Sequence, residues 1–222
     1  MIPRPRERRI RAAPGAALDS SGSVWPATLL KRHGPGRLAA SFGLDGRRRA
    51  DGTRDQTAMM MTSRAVLGAA RKFYPTTDEV IDPAPSWDAG EAGHSRIATF
   101  DGRRYYLAVC YDGFGIKRQK PPRPRVDAVL DHVHGFAGSE SEVLFARHGF
   151  AGASQVWRCP VYGAATFFDR TVPDEWPSSV LWKGKPRSTM QWRYADNAIV
   201  PTDTIAVPVP EGRAVVRLFD AR

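Results

Sequence analysis

The stretch "YYLAVCYDGFG", residues 105–115, sets seven hydrophobic or aromatic residues in a row, Tyr105 to Tyr111, with Cys110 near their end. An aspartate and two glycines follow at once. A short apolar run bounded by turn formers reads as a buried strand. Its cysteine then has two readings. Free cysteine is among the most buried residue types and packs as a small hydrophobe, so Cys110 can be core filling. Alternatively the strand exists to present a sulfur. A nucleophilic cysteine works as the thiolate, which needs a cation, an adjacent base or a helix N-terminus beside it. A strand end fixes the sulfur, and the turn after it places backbone N–H groups where they can receive a developing oxyanion.

Working outward, "RIATFDG" and "RRYYLAVCYD" form two strands about Asp101-Gly102, a strong local hairpin signal. Upstream, "TAMMMTS" and "AVLGAARKFY" read as a second hairpin turning at Ser63 and Arg64, with Lys72 near the end of its second strand. The stretch "PTTDEVIDPAPSWDAGEAGHS" between the hairpins, full of acids and turn formers, reads as a long loop. Downstream, "IKRQKPPRPR" (116–125) reads as a solvated loop and "VDAVLDHVHGF" as a buried strand. "SESEVLFARHGFAGAS" opens like a capped helix, with Ser139 as cap and Glu142 three residues on. "QVWRCPVYGAATFF", "SSVLWKG", "NAIVPTDTIAVPVP" and "GRAVVRLFD" supply further short strands. Many β segments with one or two helices predict a layered α/β or α+β architecture.

The 222 residues carry a net charge of +10, but unevenly. Residues 1–54 hold 12 Lys/Arg against 4 Asp/Glu, whereas the remainder holds 21 against 19. The basicity therefore sits in an Arg/Gly/Pro/Ala-rich tail without period 2 or 3.6. Such a segment buries too little surface to offset its conformational entropy, so residues 1–54 are expected to be disordered or non-native and residues 55–222 to form the domain. A nucleic-acid footprint belongs on the folded part, interleaved with aromatics, and no such partner is expected. Two cysteines make a disulfide framework improbable and point to the cytoplasm. No apolar run approaches the roughly 18 residues of a membrane span. His132 and His134 alternate on one strand face without diagnostic metal spacing, so no metal is expected.

The order of strand, Lys72, acidic loop, strand, turn, strand and Cys110 resembles the carbon–nitrogen hydrolase (nitrilase/amidase) superfamily over roughly residues 56–185. Two local signatures carry the likeness. In "LGAARKFYP" a glycine stands four residues before the lysine, with aromatics after it; "FDGRRYYLAVCYD" ends in Cys-Tyr-Asp. The resemblance implies a nitrilase-like α-β-β-α sandwich, incomplete at the N-terminus. It implies that Cys110 attacks an amide or nitrile carbon, that Lys72 stabilises the oxyanion, and that the backbone N–H of Tyr111 is the second donor. Asp112 fixes the turn. Glu79 or Glu91 can take the place of the supporting glutamate that follows the lysine in some members, and Glu79 is the candidate chosen. Tyr111, His134 and Phe136 are the candidate substrate-binding residues. No cofactor is needed, the partner is a small amide or nitrile, and self-association into a homo-oligomer is expected.

Two departures shape these expectations. The signature continues here as "GFGIK", so the loop after the cysteine differs from the family's. The family also places a general-base glutamate ahead of the lysine, but Glu7, in "RPRERRI", is the only glutamate before Lys72. An active hydrolase, a truncated non-catalytic relative, and a basic interaction protein acting through the tail are thus the three expected alternatives.

Overall fold

The computed structural model describes residues 10–11, 38–45, 50–53, 55–76, 80–136, 141–167, 172, 176, 178–184, 194–209 and 212–220. In chain order the elements begin with β1 (Ile10–Arg11), β2 (Ala39–Asp45), β3 (Gln56–Thr62) and β4 (Val66–Arg71). There follow β5 (Ile97–Phe100), β6 (Arg103–Val109), α1 (Asp112–Gln119) and β7 (Ala128–Phe136). Next, α2 (Ser141–Phe145) runs through a π turn (Ala146–Phe150) into α3 (Ala151–Trp157). The chain then forms β8 (Val161–Phe167), β9 (Ser179–Val180), α4 (Tyr194–Asn197), β10 (Asp203–Val209) and β11 (Gly212–Phe219).

Strict alternation of more and less buried residues along β3 marks a strand with one face to the core, and β3 lies centrally in the antiparallel sheet β2-β3-β4. The unbroken apolar run of β6 has the other pattern. Tyr105 to Val109 are all buried, as suits a strand covered on both faces. It belongs to the sheet β5-β6-β7-β8-β9, in which β6, β7 and β8 pair in parallel. Parallel neighbours need a crossover, and helices supply both: α1 links β6 to β7, and α2–α3 links β7 to β8. The Asp101-Gly102 turn behaves as its sequence predicts, with φ values of 53° and 75° at its two residues.

The two sheets meet face to face. A side chain at Gly43 on β2 would lie 3.0 Å from Cβ of His132 on β7, and one at Gly68 on β4 would press on Ala98 of β5. Across the larger sheet, the Phe150 ring from the π turn occupies the space a side chain at Gly163 of β8 would fill. The order is helix, sheet, sheet, as predicted for a mixed α/β sandwich; among the described residues the second helical layer is not found. A third sheet, β1-β11-β10, attaches through Arg217, whose guanidinium donates to the Trp176 carbonyl at 2.7 Å. Among the described residues no helix is long and apolar enough to cross a membrane.

Two expectations are corrected. The tail assignment of residues 1–54 put Ala39–Asp45 outside the domain, yet β2 pairs with β3 over seven positions. Its Ala, Ser and Gly residues give no period-2 signal because a small strand is what fits beneath His132. Most of the segment's remaining residues lie outside those described. The second correction concerns "DGFGIKRQ", read as turn and loop, which is the helix α1. Its glycines answer to packing rather than to turns. A Cβ on Gly115 would fall 2.6 Å from Cβ of Tyr74, and one on Gly113 would fall 3.1 Å from the Gly149 backbone.

Candidate active site

Strand β6 ends at Val109 and helix α1 begins at Asp112, so Cys110 occupies the elbow between them. Its φ of 53° is a left-handed value that costs a non-glycine residue about 1–3 kcal/mol and persists only where surroundings enforce it. A sharp strand-to-helix turn holding a strained residue is how a nucleophile is pushed out of its sheet. The elbow also places the sulfur beside the first turn of α1. There the N–H groups lack intrahelical acceptors and the helix dipole favours negative charge.

Asp112 builds this elbow. Its side chain is fully buried, and Oδ1 accepts from the amides of Phe73 at 2.9 Å and Tyr74 at 3.0 Å. Oδ2 accepts from the Val109 amide at 3.0 Å and from Arg96 at 3.2 Å. One carboxylate thus ties the strand end after Lys72 to the strand end before Cys110. Burial raises the Asp112 pKa, with the Arg96 charge and the three amides pulling it back. Arg96, itself fully buried, also donates to the Ala89 carbonyl, to the Tyr106 hydroxyl and to the Arg71 carbonyl. The Asp112 turn role is the one the resemblance implies; Arg96 is missed by sequence reading, since an arginine at a strand entrance reads as solvated.

Lys72 follows β4 directly and is 0% exposed. Its Nζ donates to Oε1 of Gln56 at 3.0 Å and lies 5.5 Å from the centre of the Tyr111 ring. The lysine therefore reaches the residue next to Cys110, although β4 and β6 belong to different sheets. Asp131 on β7 lies behind the same elbow. It is buried, neither carboxylate oxygen accepts a hydrogen bond of ordinary geometry among the described residues, and its pKa is raised well above the carboxylate range. Burial is the main cause and the nearby Asp112 charge the second; Lys72 and the Cys110 amide act the other way. Nothing in the sequence distinguishes Asp131 from a surface acid except its place in an apolar strand.

The predicted residues separate as follows. Lys72 reaches the ring of Tyr111, the chain neighbour of Cys110. Tyr111 and Phe136 both line a cavity of about 180 Å³, with Cys110 and Phe114 at the elbow, Val133 on β7, and Leu144 and Phe145 on α2. His134 is exposed on β7 and is not part of that lining. Glu79 lies outside the described residues. Glu91 is engaged by Arg71, whose Nε donates to it at 2.8 Å, and Arg71 also pairs with Asp82. Trp157 and Trp182 are buried core residues, the former donating to the Pro121 carbonyl at 3.2 Å. Trp176 packs on Phe136 and Phe167, and Trp192 lies outside the described residues.

His132 has a structural task. Its Nδ1 faces the Ala108 carbonyl at 3.0 Å, which can only accept, so the proton is on Nδ1 and Nε2 accepts from the Ser41 hydroxyl at 2.8 Å. Both ring nitrogens are thereby used, which argues against the metal reading of His132 and His134. Burial depresses the His132 pKa from 6.5 to about 4, against the pull of its Ala108 and Ser41 contacts. The unfolded chain consequently takes up this proton first as pH falls. The stabilisation is complete above about pH 6.5 and is lost as pH falls through about 4, amounting to about 3 kcal/mol. Urea unfolding at pH 7 and pH 4 checks this: His132→Asn should flatten the acid-side loss, and an unchanged pH slope in the variant would refute it.

No family model matches the chain, and no curated protein matches its sequence. Solved structures do. A carbon–nitrogen hydrolase superfamily protein of Xanthomonas campestris, solved with an arsenic adduct in its active site, is similar at 13% identity with a TM-score of 0.52, over 94% of this chain and 71% of that one. The Caenorhabditis elegans NitFhit protein is similar at 12% identity with a TM-score of 0.51, over 87% of this chain and 44% of that one. A carbon–nitrogen hydrolase of Helicobacter pylori aligns over 63% of this chain at 14% identity with a TM-score of 0.41. The chain spans 49% of that protein's length, and 23% of a glutamine-dependent NAD(+) synthetase from Cytophaga hutchinsonii. At these identities the likeness establishes the fold.

Proposed function

We propose that this chain, which has the carbon–nitrogen hydrolase fold, uses Cys110 to open a non-peptide carbon–nitrogen bond, an amide or a nitrile, through a covalent thioester. The observation that carries the reading is a buried lysine whose amine lies 5.5 Å from the ring of Tyr111, the neighbour of a cysteine in left-handed backbone at a strand-to-helix elbow. With an amide, the Cys110 sulfur attacks the carbonyl carbon, the C–N bond breaks, and the nitrogen takes a proton and leaves as ammonia or an amine. Water then splits the thioester, returning the thiol and releasing a carboxylic acid. In this reading Lys72 and the Tyr111 amide face the oxyanion, and Glu79 supplies the supporting carboxylate. No cofactor enters the cycle, the reduced thiol suits the cytoplasm, and the working form is a homo-oligomer.

A non-catalytic relative is the second reading, because no carboxylate stands among the described residues lining the cavity. One experiment separates the two. The protein is incubated with simple amides and nitriles, modified cysteines are mapped by peptide mass spectrometry, and released ammonia is counted. The expected result is an adduct on Cys110 and none on Cys159, whose thiol burial pushes up to about 11. The adduct disappears in Cys110→Ala. Ammonia exceeding the protein many-fold marks an enzyme; an adduct without turnover marks the relative. Equal modification of both cysteines would reject the nucleophile assignment.

A further inference from the structure

The cavity beside Cys110 has a definite chemistry. Every described residue lining it is uncharged, and its walls are mostly rings: Tyr111 stacks on Phe114 at 4.7 Å between centroids, and Phe145 meets both edge-on at 5.6 and 5.2 Å. Phe136 closes the β7 side, 5.6 Å from Phe145. The sole side-chain oxygen among the lining residues is the Tyr111 hydroxyl. A volume near 180 Å³ is slightly larger than the ~150 Å³ apolar cavity that accepts benzene in an engineered protein. A carboxylate or ammonium entering this space would be desolvated without a partner, which costs several kcal/mol. A bare methyl group would leave most of the walls uncovered.

We propose that this cavity is the acyl subsite and that it selects substrates whose acyl group is apolar and about the size of a phenyl ring. The proposal rests on the thiol-hydrolase reading and narrows it. The subsite lies against the elbow, so an acyl group seated among the rings holds its carbonyl or nitrile carbon at the sulfur. Discrimination comes from area and charge together. A phenyl group recovers the burial of several carbons that a methyl group forgoes, at roughly 10–200-fold for the first methylene alone, and an acidic chain finds no cation among the described lining residues.

The test compares phenylacetonitrile, acetonitrile and 3-cyanopropanoate at equal concentration, reading the rate of Cys110 adduct formation by mass spectrometry. In each the sulfur adds to the nitrile carbon and the nitrogen takes up the proton the thiol loses, with nothing leaving. Phenylacetonitrile should react at least about tenfold faster than either competitor. Leu144→Trp should erase the preference: Leu144 is 48% exposed at the cavity rim, so the larger side chain narrows the mouth without entering the core. Equal rates, or a preference for the carboxylate, would overturn the proposal. A parallel measurement follows binding of phenylacetamide to Cys110→Ser by saturation-transfer NMR. Binding to that variant but not to its Leu144→Trp derivative, with no adduct from any nitrile, keeps the subsite and rejects the hydrolase reading. Absence of both binding and reaction rejects the subsite.

Discussion

Asp112→Ala is expected to cost about 3–5 kcal/mol of folding stability, the largest loss of any single substitution considered for this chain. The carboxylate accepts four hydrogen bonds from four different residues, and these donors sit on three separate pieces of chain. Phe73 and Tyr74 lead away from Lys72, Val109 ends β6, and Arg96 enters β5. Alanine leaves three buried amides unpaired and a fully buried guanidinium without its counter-charge, and removing one partner of a buried ion pair is far costlier than never having built it. The remaining Arg96 acceptors, the Tyr106 hydroxyl and two carbonyls, are neutral and do not replace the charge. Asp112→Asn separates the contributions. It retains one acceptor oxygen for Phe73 and Tyr74 while deleting the ion pair, so its loss should fall between wild type and alanine. Equilibrium denaturation of the three proteins measures this, and an alanine variant within 1 kcal/mol of wild type would show that the elbow stands without its carboxylate.

How far the sequence exposed all this depends on what each residue had to do. The hairpins were legible because a short apolar run ending at the polar turn of Ser63 and Arg64, and the Asp-Gly pair at 101–102, are local consequences of local geometry. Cys110 and Lys72 were proposed as a pair only through the family resemblance, since each alone reads as an ordinary strand-end residue. Strand β2 was not legible: its small residues answer to His132 across the sandwich, and that demand appears nowhere in its own neighbourhood. Helix α1 was hidden for a similar reason. Gly113 and Gly115 argue for a turn on propensity, yet close backbone approach to Gly149 and to Tyr74 selects them. Arg96 and Asp131 looked like ordinary surface charges. Only burial distinguishes them, and burial is set by the chain's path. The aromatic cavity divides along the same line: Tyr111 was foreseen from its place beside Cys110, whereas Phe114, Phe145 and Leu144 come from two helices that sequence placed partly in a loop.

The second large effect separates chemistry from packing. Lys72→Met should leave stability within about 1 kcal/mol of wild type, or raise it, while lowering the rate of nitrile addition to Cys110 by about 10²–10³. Methionine has nearly the length and volume of the lysine stem and needs no desolvation compensated, so a lysine serving only as core would be replaced at little cost. A lysine acting on the negative charge that develops on the nitrile nitrogen, as it would on an amide's oxyanion, behaves otherwise. Its ammonium sits in a dry site, held by the Gln56 carbonyl oxygen at 3.0 Å and by the face of the Tyr111 ring. A charge fixed there meets developing negative charge without reorganising, which is where such stabilisation is strongest. Arginine is no substitute, because its planar fork cannot occupy the space of a compact ammonium. Gln56→Leu should act through the lysine, giving a smaller rate loss that Lys72→Met does not deepen when the two are combined. Equal nitrile rates in Lys72→Met and wild type, with both proteins folded, would make the amine a passenger in the core and remove the thiol-hydrolase reading with it.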